Sequence, residues 1–242
     1  MNFFDIATEI RLKIYSELLV LSEPIVFLAY RSPSLFRSQR ERLYPALLRA
    51  NRRVHREASP LLYSNNRFQF PEVFTFTFAP TATSNVHIAP FLYQIQSQAS
   101  LIRHICIPLH IFDYPQFSGV RFHKAHIKIL ELIRDTCTSI KTLELLVSPD
   151  YDNYPLGDSE TLDLLDTRFK SIPSLKEIIV NFKVYPEQDP SDDLTKKVHD
   201  YGWTVSVTKL PKKTRVSLDG RVEFDNEEDW WAYDDEVFFI ME

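Results

Sequence analysis

The residue types best able to hold a metal ion gather in one stretch of this chain: His104, Cys106 and His110, with His123 and His126 farther on. Imidazole nitrogen and thiolate sulfur are ligands that zinc prefers. In an extended strand His104 and Cys106 share a face, and in a helix His123 and His126 share one, so a metal centre forms if the two faces meet. The spacing matches no zinc signature, and Cys106 also suits the role of a small buried hydrophobe. The expectation is therefore no metal and no cofactor.

Other routes to catalysis are thinner. Cys137 follows a helical pattern, and the C-terminal end of a helix dipole raises a thiol's pKa instead of lowering it. No serine sits between glycines as a nucleophile elbow requires. His55-Arg56-Glu57 has the His-x-Glu of zinc deaminases without the Pro-Cys-x-x-Cys that completes the site, and reads as helix surface. The glycines, Gly119, Gly157, Gly202 and Gly220, are isolated, so no phosphate-cradling loop can form. No catalytic residues are assigned, and an enzyme is not expected.

The elements that must position these side chains follow a repeat. Ile102-Arg103-His104-Ile105-Cys106-Ile107, Ile140-Lys141-Thr142-Leu143-Glu144-Leu145 and Leu175-Lys176-Glu177-Ile178-Ile179-Val180 all read apolar, basic, polar, apolar, variable, apolar. Helical patterns separate them at His123–Arg134 and Thr161–Phe169, and a third helix spans Ser191–Tyr201, with Ser191 as cap and Gly202 as stop. Strands alternating with helices at a fixed period predict an α/β fold, with parallel strands side by side and helices on one face.

Ahead of the repeat, Ile6, Ile10, Ile14, Leu18 and Leu21 recur with the period of an amphipathic helix, Leu12, Tyr15 and Leu19 broadening the stripe, with Thr8 as its N-cap and Pro24 as its stop. Ile25–Tyr30 suits a short strand. A second helix is predicted from Tyr44 to Ala58, with Pro45 in its first turn and Pro60 ending or kinking it, before an Asn65-Asn66 turn. Phe68 and Phe70, then Phe74, Phe76 and Phe78, alternate as strands with a buried aromatic face. Near the end, Asp219-Gly220 between Val216–Leu218 and Arg221–Phe224 predicts a β-hairpin.

The segment Ile6-Ala7-Thr8-Glu9-Ile10-Arg11-Leu12-Lys13-Ile14-Tyr15-Ser16-Glu17-Leu18 resembles the opening of the F-box, with Ile6-Ala7 in the place of its Leu-Pro. With Leu47-Leu48-Arg49-Ala50-Asn51-Arg52-Arg53-Val54-His55-Arg56-Glu57-Ala58-Ser59-Pro60-Leu61-Leu62-Tyr63, it is similar to a large group of filamentous-fungal F-box-like proteins, mostly without assigned activity. The likeness to that group covers about residues 6 to 182, and the likeness to the F-box about 6 to 63. It implies an F-box-like helical head with a basic insertion (1–66), a short leucine-rich-repeat-like α/β body (67–210), and a hairpin with an acidic aromatic segment (211–242). It further implies that Ile6, Glu9, Ile10, Ile14 and Leu18 dock on the Skp adaptor of a cullin-RING ubiquitin ligase while the body holds a substrate. The alternative is an F-box-derived regulatory or interaction protein that does not bind the adaptor. A plainer reading of Ile10, Ile14 and Leu18 is that they pack on the second helix.

Charge adds an internal contact and excludes some partners. Nine arginines against Glu41 and Glu57 lie between Arg31 and Arg67, whereas Glu223 to Glu242 holds nine acidic residues and no base. The expectation is that Trp230 and Trp231 dock on Arg49, Arg52, Arg53 and Arg56. A net charge of -5 argues against nucleic acid as partner. No apolar run approaches the roughly 20 residues of a membrane span, so no membrane contact is expected. Two well-separated cysteines and an N-terminus mixing Asp5, Glu9 and Arg11 with apolar residues, unlike a secretory leader, point to an intracellular protein, cytoplasmic or nuclear.

Overall fold

The three repeat segments become neighbouring strands of one sheet. In the computed structural model, which describes residues 3–27, 43–70, 88–108, 124–147, 159–186 and 188–210, they are β3 (His104–Pro108), β4 (Thr142–Val147) and β5 (Glu177–Val184). With β1 (Ile25–Val26), β2 (Arg67–Gln69) and β6 (Thr204–Lys209), they form a six-stranded sheet in the order β1-β2-β3-β4-β5-β6. Every neighbouring pair is parallel. The register follows the repeat, since His104 lies opposite Thr142 and Thr142 opposite Glu177.

The described α-helices are α1 (Thr8–Leu19), α2 (Arg52–Asn65), α3 (Ile88–Ile95), α4 (Lys124–Thr136), α5 (Ser159–Lys170) and α6 (Asp192–Asp200). Because each strand pairs with the next in the chain, successive right-handed crossovers carry the connecting helices to the same side of the sheet. Ile105, Ile107, Leu143, Leu145, Val147, Val180 and Phe182 join Leu130, Ile133, Leu162, Leu165, Phe169, Leu194 and Val198 in one apolar cluster. That cluster also contains Tyr15, Leu19, Val54 and Leu62, so the two leading helices share the core of the strands. No described helix is long and apolar enough to cross a membrane.

Local signals explain most boundaries. Ser191 caps α6 by accepting a hydrogen bond from the Leu194 amide at 3.2 Å. Gly202 adopts a φ of 77°, the left-handed conformation that ends helices at glycine. β1 covers Ile25 and Val26 of the predicted Ile25–Tyr30, and residues 28–30 lie outside the described part. Phe68 and Phe70 are buried, and Phe70 stacks on Phe27 with ring centroids 4.7 Å apart. Phe74, Phe76 and Phe78, the 216–224 hairpin and the 226–242 segment all lie outside the described residues.

Three local expectations are corrected. Thr8 is not the N-cap of α1: Ala7 holds that position without a side-chain bond, while Thr8 Oγ1 accepts from Arg11 Nη2 at 3.1 Å. The second helix is not continuous from Tyr44. Pro45–Arg49 forms a 3₁₀ turn, and α2 starts afresh because Asn51 caps it, its Oδ1 accepting from the Val54 amide at 2.9 Å. Of the two roles expected of Pro60, ending or kinking the helix, the first does not hold, since α2 carries the exposed Pro60 inside it and runs on to Asn65. Beyond that end, Asn66 is buried. Its Nδ2 donates to the carbonyls of Leu19 and Leu62, and its Oδ1 accepts from the Leu21 amide, which ties α1 to α2.

Candidate functional site

Alternate residues of a strand face opposite sides of its sheet. The apolar cluster takes Ile105 and Ile107 of β3 and Leu143, Leu145 and Val147 of β4, so His104, Cys106 and Glu144 belong to the face away from the helices. Cys106 and Glu144 are register partners. Glu144 Oε2 accepts from Cys106 Sγ at 3.2 Å and lies 3.0 Å from His104 Nε2. Its Oε1 accepts from Asn181 Nδ2 at 2.7 Å, and Asn181 Oδ1 accepts from Thr208 Oγ1 at 2.9 Å. A polar chain thus runs from β3 through β4 and β5 to β6.

Burial sets the chemistry of this chain. Glu144 is only 6% exposed, which opposes its ionisation, but the bonds from His104, Asn181 and Cys106 outweigh that cost and hold its carboxyl at about 2. Burial, then the neighbouring Glu144 charge, pushes the Cys106 thiol far above its ordinary range. Burial also pushes the Cys137 thiol up to about 11, against a smaller opposing effect of the Thr136 hydroxyl. Neither sulfur is a thiolate at neutral pH in this state.

Of the residues singled out for metal chemistry, His104 and Cys106 do meet, as their shared strand face predicts. His110 and His123 lie outside the described residues, and the side chain of His126 is likewise not described. The third member of the cluster is Glu144, whose ligand oxygen lies with the His104 nitrogen and Cys106 sulfur within 4.8 Å of one another. Sequence reasoning passed over it, although the repeat held the signal. Cys106 and Glu144 both occupy the variable fifth position, and equivalent positions of neighbouring parallel strands stand side by side.

The head presents a second surface. Ile10 and Ile14 are 47% and 37% exposed and stay out of the apolar cluster, whereas Leu18 packs against it. Glu9 is exposed, while Ile6 and Leu18 are half-buried. The inward face of α1 is instead Arg11, Tyr15 and Leu19. The Arg11 guanidinium, 2% exposed, reaches Glu57 of α2 through Nη2 at 2.8 Å and Nε at 3.0 Å. Its Nη1 donates to the carbonyls of Ile6 and Phe4. Tyr15 donates its hydroxyl to Glu57 at 3.3 Å. Hydrogen bonds from Arg11 and then Arg53 hold the Glu57 carboxyl down at about 2.

The arginines of the second helix have separate roles. Arg53 pairs with Glu57 at 3.0 Å and lies over the Phe4 ring, 4.8 Å from its centroid. Arg49 and Arg52 line an open hollow of about 320 Å³ with Leu48, Asn51 and His55. Arg56 is exposed. Trp230 and Trp231, the expected counterparts of these arginines, lie outside the described residues.

Compared with known proteins, the chain matches no family model, no curated protein and no solved structure.

Proposed function

We propose that this chain is a protein-protein interaction scaffold. In this reading its head docks on the Skp adaptor of a cullin-RING ubiquitin ligase and its sheet presents a substrate, while the chain itself catalyses nothing. That role belongs in the cytoplasm or nucleus.

One observation carries the proposal. α1 turns a charged residue, Arg11, into the molecule and leaves Ile10 and Ile14 exposed by 47% and 37%. Folding alone gives little reason to leave aliphatic side chains one turn apart partly exposed while burying a guanidinium, because each isoleucine forgoes part of the about 1.5–3 kcal/mol that full burial contributes. A partner's apolar surface supplies the reason. The resemblance of residues 6–63 to the F-box names the kind of partner.

The test is co-elution of the purified full chain with purified Skp adaptor on gel filtration. The reading expects a stoichiometric complex, lost in the Ile10→Asp/Ile14→Asp variant. Two separate peaks for the unaltered chain, at tens of micromolar, would overturn the ligase reading.

A further inference from the structure

The polar chain on the face away from the described helices holds a nitrogen, a sulfur and a carboxylate oxygen in one small volume, a combination that hydrogen bonding alone does not require. We propose that His104, Cys106 and Glu144 form a binding site for a divalent transition-metal ion of the zinc class. This goes beyond the scaffold reading and does not depend on it.

The geometry supports the assignment in four ways. The three ligand atoms lie within 4.8 Å of one another, with His104 Nε2 and Cys106 Sγ at 3.0 and 3.2 Å from the same carboxylate oxygen. Around a tetrahedral zinc ion, with ligand bonds near 2.0–2.3 Å, such atoms stand about 3.4–3.6 Å apart. An ion is accommodated once the carboxylate draws back from its two neighbours and the His104 ring and Cys106 sulfur, within 4.8 Å of each other, close about it through their side-chain torsions.

The ligands also come from two hydrogen-bonded neighbouring strands, so the backbone fixes their spacing before any ion arrives. A supporting layer is in place as well. Asn181 Nδ2 holds the other carboxylate oxygen, and Thr208 holds Asn181, which is how outer groups orient a metal-binding carboxylate. Finally, Cys106 and Glu144 are buried whereas the His104 side chain is 20% exposed, so solvent reaches the cluster along the histidine.

The donor set selects the ion. One sulfur and one imidazole disfavour calcium and magnesium, which take oxygen ligands, and a single sulfur is too few for a soft monovalent ion. On binding, the Cys106 thiol releases its proton to solvent, and His104 offers the Nε2 lone pair with its proton on Nδ1. The two hydrogen bonds to Glu144 Oε2 are exchanged for metal bonds, and the bond from Asn181 is kept. No electrons are transferred.

The experiment is a titration of the full-length protein with cobalt(II), whose thiolate charge-transfer band and strong visible bands mark a four-coordinate sulfur-containing site. The chain has two cysteines, so a sulfur band must come from Cys106 or Cys137. The expected result is saturation at one equivalent, displacement by zinc(II), retention of the band in Cys137→Ser and its absence in Cys106→Ser. His104→Gln, at a partly exposed position that leaves the core intact, should weaken cobalt binding at least tenfold with an unchanged circular dichroism spectrum, and it decides the matter should Cys106→Ser fail to fold. Absence of a charge-transfer band in the folded unaltered protein overturns the proposal. So does a band that survives Cys106→Ser, or His104→Gln binding cobalt as tightly as the parent. None of these outcomes bears on adaptor binding.

Discussion

Along β4 the side chains alternate between two kinds of burial. Leu143, Leu145 and Val147 enter the apolar cluster shared with the helices, where contacts are many and non-directional. Glu144, between them in sequence, is nearly as inaccessible, yet it is satisfied by three named donors at fixed distances. The first kind tolerates any side chain of the right volume. The second requires specific partners on both neighbouring strands, because a buried carboxylate without them is costly. One face of the sheet thus secures the fold through apolar volume, and the other through a few partnered polar groups.

The comparison can be broken by substitution on each side. Leu143→Ala should cost the most, about 2–5 kcal/mol of unfolding free energy, since a wholly buried leucine leaves a cavity among its neighbours. Urea unfolding should show a lower midpoint with an unchanged slope. Glu144→Ala should cost less, about 1–3 kcal/mol, the penalty of leaving buried donors such as Asn181 Nδ2 without an acceptor. Glu144→Gln, which keeps one carbonyl oxygen, should cost less again. A silent Glu144→Ala would mean that the polar face contributes nothing to stability and that the contrast drawn here is false.

A smaller loss is expected from Asn51→Ala, about 1 kcal/mol, because it removes the cap of α2 and nothing from the core. The smallest effect is expected at mildly acid pH. Glu144 and Glu57 titrate at about 2 when folded, below the ordinary carboxylate value of 4.5, so both favour the folded state above 4.5. Their contribution fades as pH falls from 4.5 toward 2. Thermal melts should show the onset of this decline near pH 4, and Glu144→Gln should make it shallower. A melting temperature that rises on acidification through this range would contradict the sign.

How far the molecule could be read from its residues follows the same division. The order and register of β3, β4 and β5 were legible because an apolar period must face a core, and the repeat displays that period three times. The short β1 was seen at Ile25–Val26, whereas β6 was missed: Val205 and Val207 are its only apolar residues, and Val207 remains exposed. α3 also escaped notice because Pro90 looks like a breaker, although it sits in the first turn, where proline is tolerated.

On the inner face of α1, Tyr15 and Leu19 belonged to the predicted stripe and Arg11 was missed, for a related reason. Arg11 has its partner 46 residues away, at Glu57, and no periodicity of hydrophobic residues reveals a buried ion pair. Glu144 was overlooked as a neighbour of Cys106 for the same kind of cause, since polar contacts depend on register and not on composition. Where burial was apolar the sequence announced it, and where burial was polar the structure had to supply the partner.

The claim at the centre of this account is that the outer edge of α1 serves binding and not folding. The direct measurement is a paired one on the Ile10→Asp/Ile14→Asp variant: its melting temperature, and its affinity for purified Skp adaptor by isothermal titration calorimetry. The account predicts a melting temperature within a few degrees of the parent, as for substitutions at exposed sites, together with adaptor affinity weakened at least a hundredfold. A variant that unfolds while the parent does not, or one that binds the adaptor as well as the parent, would show that these isoleucines serve the fold or serve nothing, and would contradict it.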